Sequence, residues 1–512
     1  MPTFPSPAEP DIHRVFAAPR GGWPLHGAAA SRAIERQAAV ALPPHTLMQR
    51  AGWAAARLAQ ALAPHAGHIQ VLAATGNNGG DGLEAAFHLH HLGRAVRVAL
   101  IGDPARLPAD AAASLRRAQQ AGVTVTGGLP ARAARTSDLA IDALLGLGIR
   151  QGPHGEVADA VAWLNRGDAP VLSLDLPSGL DADTGWLDDT VAATRCVRAD
   201  HTLSLLTLKP SLFTAHGRDQ AGQAWFCDLG IEPAQAADAL LCGESAGVGL
   251  QPRRHAQHKG SFGSVHVVGG ARGMRGAAVL AARAALWAGA GRVYLRLLEA
   301  DAPADSVALD PLMPELMFRT SLDNTAWEPG HVVACGCGGG DAVRAALPEV
   351  LGRARALVLD ADALNAIAQD AQLRSLLAAR ALRGWSTVLT PHPLEAARLL
   401  ECGVDEVQAD RLGAAKKLAA ACGAVVVLKG SGSVITAPGD APPTINPTGN
   451  ALLGTAGTGD VLAGWIAALW AQGLEPRQAA MAAVFQHGMQ ADRWLAKQGG
   501  RPLTAGALLQ PI

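Results

Sequence analysis

Short apolar runs alternate with helix-patterned stretches along nearly the whole chain, and the alternation lapses only once. Amphipathic helical patterns run from Ala28 to about Val40 and from Thr46 to Leu62. Strand-like runs follow at 68–74, 95–101, 139–143, 171–174, 201–206 and 224–228. Between about Gly243 and Lys259 the chain is polar, carries glycine and proline, and has no period. The alternation then restarts at 264–268, 292–298, 331–334, 356–359, 387–389 and 424–428. Strands separated by helices need crossover connections, so the pattern predicts α/β units with mainly parallel sheets. It implies a loose tail over 1–24, one domain over 25–242, a linker over 243–258 and a second domain over 259–512. The 512 residues suit that division at roughly 100–200 residues per domain. Asp301 to Glu328 carries no clear pattern and reads as a long excursion.

Composition closes off several classes. Hydrophobic residues are 49% and charged residues 17% of the chain, too apolar for a disordered protein. Lys plus Arg is 43 against 44 for Asp plus Glu, so no general field draws the chain to nucleic acid or an anionic membrane. Seven cysteines without a CxxC pair argue against a disulfide framework or a zinc finger. The N-terminus lacks a signal-peptide core. The most apolar windows, Ala277 to Gly291 and Ala451 to Trp470, are interrupted by Arg283 and Asp460. A cytoplasmic enzyme is the expectation. Lysine is scarce, which marks each of Lys209, Lys259, Lys416, Lys417, Lys429 and Lys497 for attention.

The densest chemistry in the first half is Gly76-Asn77-Asn78-Gly79-Gly80-Asp81-Gly82, directly after a strand. Glycines there let the backbone approach a phosphate, and N–H groups at a helix start can bind an anion. Asp142 and Asp175 stand at or just past two other strand ends, the latter followed by Ser178. Ligands of open α/β sheets bind at the carboxyl ends of strands, so the three motifs should converge. Oxygens from Asn78, Asp142 and Ser178 would suit a hard cation. Helix capping is the alternative role for the two aspartates.

LMQRAG (47–52), GNNGGDG, DALLGLG (142–148), DLPSGLDADTG (175–185) and DLGI (228–231) together resemble the NAD(P)H-hydrate epimerase family. The resemblance implies a Rossmann-like, doubly wound domain that binds a hydrated nicotinamide nucleotide and potassium. By motif, substrate would meet Asn77, Asn78, Gly79, Gly80 and Asp81. It would also meet Gly146, Leu147, Gly148, Ile149, Arg150, Gln151, Gly152 and Asp175. Potassium would fall to Asn78, Asp142 and Ser178. Thr75 replaces a proline common in that family. Asp175 is the first candidate for proton transfer, with Asp81 second.

In the second half, Gly454-Thr455-Ala456-Gly457-Thr458-Gly459-Asp460 leads into an apolar helix. A glycine-rich helix N-terminus can hold a phosphoryl group in flight, and an aspartate beside it can take a hydroxyl proton. The alternative makes Asp460 a simple N-cap. Lys429-Gly430-Ser431-Gly432-Ser433 ends an apolar strand and suits nucleotide phosphates or ribose. DADALN (360–365), TPHPLE (390–395) and GMRGAA (273–278) also border strands.

These motifs, in this order over 255–512, resemble the ribokinase-like, ADP-dependent NAD(P)H-hydrate dehydratase family. The resemblance places ADP or AMP at Lys429, Gly430, Ser431, Gly432, Ser433 and Gly459. It places the hydrated substrate at Ala277, Gly338, His392 and Asp460. Gly336-Cys337-Gly338-Gly339-Gly340 stands where the family has GPGLG. Magnesium is the implied phosphate partner, with Asp360 and Asp362 candidates to position it through water.

Water added across the C5–C6 bond of reduced nicotinamide gives R and S hydrates at C6. The resemblance implies that the first domain interconverts them. The second would phosphorylate the S form from ADP, with Asp460 as base, and then release phosphate to restore NADH or NADPH. The expected partners are the two hydrates (NADHX and NADPHX) and ADP, with no nucleic acid, no membrane and a homo-oligomeric assembly. Two rivals differ in class: a vitamin or sugar kinase on the same fold, and a non-catalytic nucleotide-binding module in the first half.

Overall fold

The computed structural model describes residues 11–15, 22–131, 134–136, 138–148, 152–187, 195–243, 252–299, 309–322 and 324–509. Ile149, Arg150, Gln151 and residues 244–251 of the linker stretch lie outside them. Two compact units divide the chain, the first chiefly Trp23–Leu240 and the second chiefly Leu241–Ile512.

The first unit is built on an eight-stranded sheet. Its strands are β1 (His13–Arg14), β2 (Ile69–Ala74), β3 (Val96–Ile101), β4 (Thr124–Gly127), β5 (Leu139–Ala143), β6 (Val171–Leu174), β7 (His201–Leu205) and β8 (Gln223–Cys227). They lie in the order β1-β8-β7-β6-β5-β2-β3-β4. All pairs are parallel except β1 with β8. Residues 13–14, read from sequence as loose tail, are thus an edge strand. β4 escapes the sequence reading because three of its four residues are exposed or half-buried and polar or glycine; an edge strand has no apolar run to show.

β2 is apolar on both faces because both are covered. Ile69, Val71 and Ala73 pack with the helices Thr46–Leu62 and Asn77–His91, while Leu72 and Ala74 face the helix Glu156–Arg166. Each such large side chain stabilises the unit by about 1.5–3 kcal/mol. The chain leaves β2 toward β3 and returns to β5 on its other side. The gap between the ends of β2 and β5 is therefore the point where strand order reverses.

The second unit repeats the logic with different details. Its strands are β9 (Ser264–Gly269), β10 (Arg292–Leu297), β11 (Met317–Phe318), β12 (His331–Cys335), β13 (Ala356–Leu359), β14 (Ser386–Leu389), β15 (Val425–Leu428), β16 (Val434–Thr436) and β17 (Thr444–Ile445). Within this unit the order is β11-β10-β9-β12-β13-β14-β15-β16-β17, so strand order reverses between β9 and β12. β16 and β17 are antiparallel additions not read from sequence. Lys429–Ser433 is the loop of the β15–β16 hairpin. β11 lies in the stretch read as an excursion. One face of the sheet packs against the helices Arg275–Trp287, Thr458–Ala471 and Pro476–Gln498. The other packs against Val343–Arg353, Ala361–Ala368 and Arg411–Cys422. Among the described residues no helix is long and apolar enough to cross a membrane.

Candidate active sites

At the reversal point of the first sheet lies a cavity of about 750 Å³. Asn77, Asn78, Asp81, Gly146, Leu147, Gly148, Gly152 and Asp175 line it, so the structure brings together most of the predicted substrate residues. Gly79 and Gly80 are not in its wall. Their role is packing. A Cβ on Gly79 would sit 1.7 Å from the Ala74 carbonyl oxygen, and one on Gly80 would meet the Met48 side chain. Gly79 lets the helix Asn77–His91 press onto the end of β2, which brings its N-terminus to the cavity, and Gly80 lets the helices Thr46–Leu62 and Ala109–Gln120 approach it. Gly76, its N-cap, has open space where a side chain would be.

Asp142 is wholly buried and caps no helix. Its carboxylate accepts from Ser173 Oγ (2.8 Å), Ser178 N (2.9 Å), Ser178 Oγ (2.6 Å) and Leu144 N (3.2 Å). Burial still raises its pKa, with the Ser178 bonds pulling the other way. Asn78 is buried, and among the described residues neither its amide oxygen nor its nitrogen has a partner. The backbone at 145–146 joins the two groups: Leu145 N donates to Ser178 Oγ (2.8 Å), and Gly146 abuts the Asn78 side chain. An unpartnered amide oxygen, linked through the 145–146 backbone to a carboxylate and a hydroxyl, offers the kind of donors a potassium ion takes.

Asp175 has φ of +66°, a backbone state that costs a non-glycine residue about 1–3 kcal/mol and concentrates at functional sites. Its carboxylate pairs with the buried Lys209 ammonium, which also donates to the Leu205 and Thr207 carbonyls (2.8 and 2.9 Å). Sequence marks Lys209 only by the scarcity of lysine; its partner is set by tertiary contact. Three more carboxyls line the cavity: Asp110, and the pair Asp81 and Glu35. Burial raises both pKa values, and the negative charge of Asp175 raises them further.

In the second unit the strand ends of β12, β13, β14 and β15 deliver Cys337, Asp360, Thr390 and Lys429 to one cluster. Asp360 accepts from Thr390 Oγ1 (2.7 Å) and from Lys429 Nζ (2.8 Å). Thiol and carboxylate atoms of Cys337, Asp360 and Asp460 lie within 4.8 Å of one another. Lys429 is no solvated loop lysine. Its ammonium would lie 3.2 Å from a Cβ on Gly459, at the first turn of the helix Thr458–Ala471. Burial disfavours its charge, but the carboxylates of Asp360 and Glu395 outweigh that and raise its pKa.

Asp460 is not the N-cap. Gly457 holds that position at φ +90°, and Asp460 is the third residue of the helix. Its carboxyl is pushed up to about 6, first by burial and then by Asp360, with the Cys337 thiol and Lys429 opposing. Gly459, in that first turn, lies against the Lys429 ammonium and the Asp360 carboxylate.

His392 has a plainly structural task. Its Nδ1 accepts from Leu394 N (3.1 Å) and Glu395 N (3.3 Å), while Glu395 accepts from His392 N (2.8 Å), a reciprocal cap. The spacing of His392 and Glu395 carried that signal. Burial pushes the Glu395 carboxyl up to about 7. Gly338, at φ +57°, lies against Ala277, uniting two predicted substrate residues. Asp362 accepts from Gly340 N (2.8 Å). Gly430 lies against the buried Arg411 guanidinium, which donates to the Leu428 and Lys429 carbonyls (3.2 and 3.1 Å) and fixes the hairpin; the sequence reading overlooks Arg411.

A family model described as NAD(P)H-hydrate dehydratase matches residues 265–510, and one described as YjeF-related protein N-terminus matches 44–211. The bifunctional NAD(P)H-hydrate repair enzyme of Escherichia coli strain K12 is 36% identical over 93% of this chain and 91% of its own. That of Leishmania braziliensis is 36% identical over 88% and 86%. A solved structure, the ADP/ATP-dependent NAD(P)H-hydrate dehydratase of Bacillus subtilis co-crystallised with ATP and Mg2+, is 28% identical, covering 52% of this chain and 93% of its own at a TM-score of 0.42. With such relatives aligned along nearly its full length, and two site clusters at the strand ends of two α/β units, the chain belongs to the family of bifunctional NAD(P)H-hydrate repair enzymes.

Proposed function

We propose that the first unit interconverts the R and S hydrates of NADH and NADPH at C6, and that the second dehydrates the S form with ADP, releasing AMP and phosphate. The observation that carries the second half is Asp460, tuned to about 6 on the first turn of a helix beside the Lys429 ammonium. A base near the working pH can take the C6 hydroxyl proton as that oxygen attacks the β-phosphorus of ADP. Helix N–H groups and Lys429 offset charge on the transferring group. Phosphate then leaves C6 with the C6–O bonding pair, C5 gives up a proton, and the C5–C6 double bond is restored. Ala277, Gly338 and His392 would border the nicotinamide end, and Gly430 to Ser433 the adenosine end. Magnesium would accompany the nucleotide phosphates. Asp360 and Asp362 are already engaged by Lys429 and Gly340, so direct ligation would cost those bonds.

Mixed hydrates incubated with the protein and ADP should regain absorbance at 340 nm and yield AMP and free phosphate. A stable phosphorylated substrate would instead favour the kinase reading, and repair of the R form as fast as the S form without an epimerising unit would refute the division of labour.

Potassium would be held by Asn78, Asp142 and Ser178, ordering the loop at 144–148 at the cavity wall. Potassium should raise the melting temperature of the first unit in the wild type and not in Asp142→Ala. The variant should lose epimerisation and keep the dehydratase rate. Equal loss of both activities would mean a folding defect instead.

A further inference from the structure

We propose that Glu35, on the helix Ala28–Ala41, is a second proton-carrying residue of the first-unit cavity, working with Asp81 on the C6 substituent; the proposal rests on the epimerase reading above. Glu35 lies before residue 44, where the match to the N-terminal family model begins, and no motif of the chain includes it. Its helix is nonetheless part of the cavity. Arg32, one turn earlier, donates to the Leu147 carbonyl (2.5 Å) and so ties the helix to the loop at 144–148. Arg32, Glu35 and Ala39 all line the cavity, as residues three or four apart on one helix face do.

The four cavity carboxyls are not equivalent, and Asp110 stands in the first turn of the helix Ala109–Gln120. Asp175 is held by Lys209. Glu35 and Asp81 face the cavity with no hydrogen bond or ion pair among the described residues. Burial, first, and the charge of Asp175 disfavour ionisation of Glu35, and together they outweigh Lys209, Arg32 and Arg36, which favour it, so its pKa is raised. Asp81 feels Asp175, Glu35 and Glu84 against Lys209, and is raised further. The pair therefore retains a proton to higher pH than ordinary carboxylates do.

Inversion at C6 needs such a pair. One carboxylic acid gives its proton to the C6 hydroxyl. The C6–O bond breaks, water leaves, and the lone pair on the ring nitrogen forms a C=N+ bond. Water then adds to the opposite face of C6, the nitrogen recovers its lone pair, and the surplus proton passes to a carboxylate. Nothing is oxidised or reduced, and one proton is taken and one returned. Two groups on separate elements, Asp81 on the helix after β2 and Glu35 on the N-terminal helix, can serve the two faces.

The test uses the full-length protein, R-enriched NADH hydrate and no ADP, with the R-to-S ratio followed by chromatography and the spontaneous rate subtracted. Glu35→Gln should lower kcat by roughly 10- to 100-fold, since Asp81 remains, against ~100- to 10,000-fold for loss of a sole general acid. KM should change little, and Glu35→Asp should recover part of the rate. The wild-type rate should fall as pH rises through the raised carboxyl range, because the acid form is consumed, and Glu35→Gln should shift that fall. In 18O-water, label should enter the C6 hydroxyl more slowly in step with epimerisation. Melting temperature and the ADP-dependent rate on S hydrate should stay at wild-type values. A Glu35→Gln rate within twofold of wild type at every pH overturns the assignment, as does a parallel loss of stability that accounts for the rate. A wild-type protein that does not epimerise would overturn the epimerase reading itself, and that result precedes any variant.

Discussion

Replacing Lys429 by Met should destabilise the second unit by about 3–5 kcal/mol and abolish ADP-dependent dehydration. Met keeps most of the volume, so the expected loss is electrostatic. Asp360 is 2% exposed, and without the ammonium its carboxylate keeps hydrogen bonds only from the Thr390 hydroxyl and, at 3.9 Å, the Cys337 thiol among the described residues. Removing one partner of a buried pair leaves the other charge uncompensated, and that dominates the cost. Asp360→Asn in the same protein should therefore restore most of the stability while leaving the activity absent. Urea unfolding of the two single variants and the double variant measures the coupling directly. A cost below about 1 kcal/mol for Lys429→Met would show that the ammonium does not hold the cluster together. Lys429 also lowers the pKa values of Glu395 and Asp460. Any residual rate in Lys429→Met should thus need a higher pH than the wild-type rate does.

The same residue shows where sequence reading stops. Every strand it identified is present, because strands buried on two faces must be apolar runs such as Ile69–Ala74 and Val425–Leu428. The strands it missed obey weaker constraints. Thr124–Gly127 is an exposed edge, and Val434–Thr436 is a short arm of a hairpin. Site positions were legible because strand ends in an open sheet must converge, which places Asn78, Asp142 and Asp175 together without knowledge of any contact. Partners were not legible. Lys209 meets Asp175, and Lys429 meets Asp360, across 34 and 69 residues of chain. Glu35 reaches the cavity only because a helix docks there. The glycines of the 76–82 run suggest phosphate approach from sequence, whereas Gly79 serves helix-to-sheet contact and Gly80 helix-to-helix contact. A spacing pattern cannot distinguish a ligand pressing on a backbone from a neighbouring strand doing so.

Asp460→Asn should lower the ADP-dependent rate by ~100- to 10,000-fold, since the amide cannot accept the substrate proton. ADP affinity should change little, because the Lys429–Ser433 hairpin is untouched. In the wild type the rate should climb as pH rises through about 6, where the carboxyl ionises, and then level off. The same substitution should make the second unit more stable at neutral pH. The folded-state pKa lies above the ordinary value near 3.9, so folding takes up a proton between about pH 4 and 6 and stability falls across that window. The ionised carboxylate then costs on the order of 2–3 kcal/mol at pH 7, less whatever solvent screens. Asparagine escapes that cost, and the stability difference between variant and wild type should grow from pH 4 to 6 and then hold. Because Gly457 is the N-cap, no capping bond is lost to offset the gain. A purely structural Asp460 predicts the opposite combination, a near-wild-type rate with unchanged or reduced stability. One pair of measurements, rate and unfolding free energy against pH, therefore decides whether this carboxylate is kept for its chemistry at the expense of the fold.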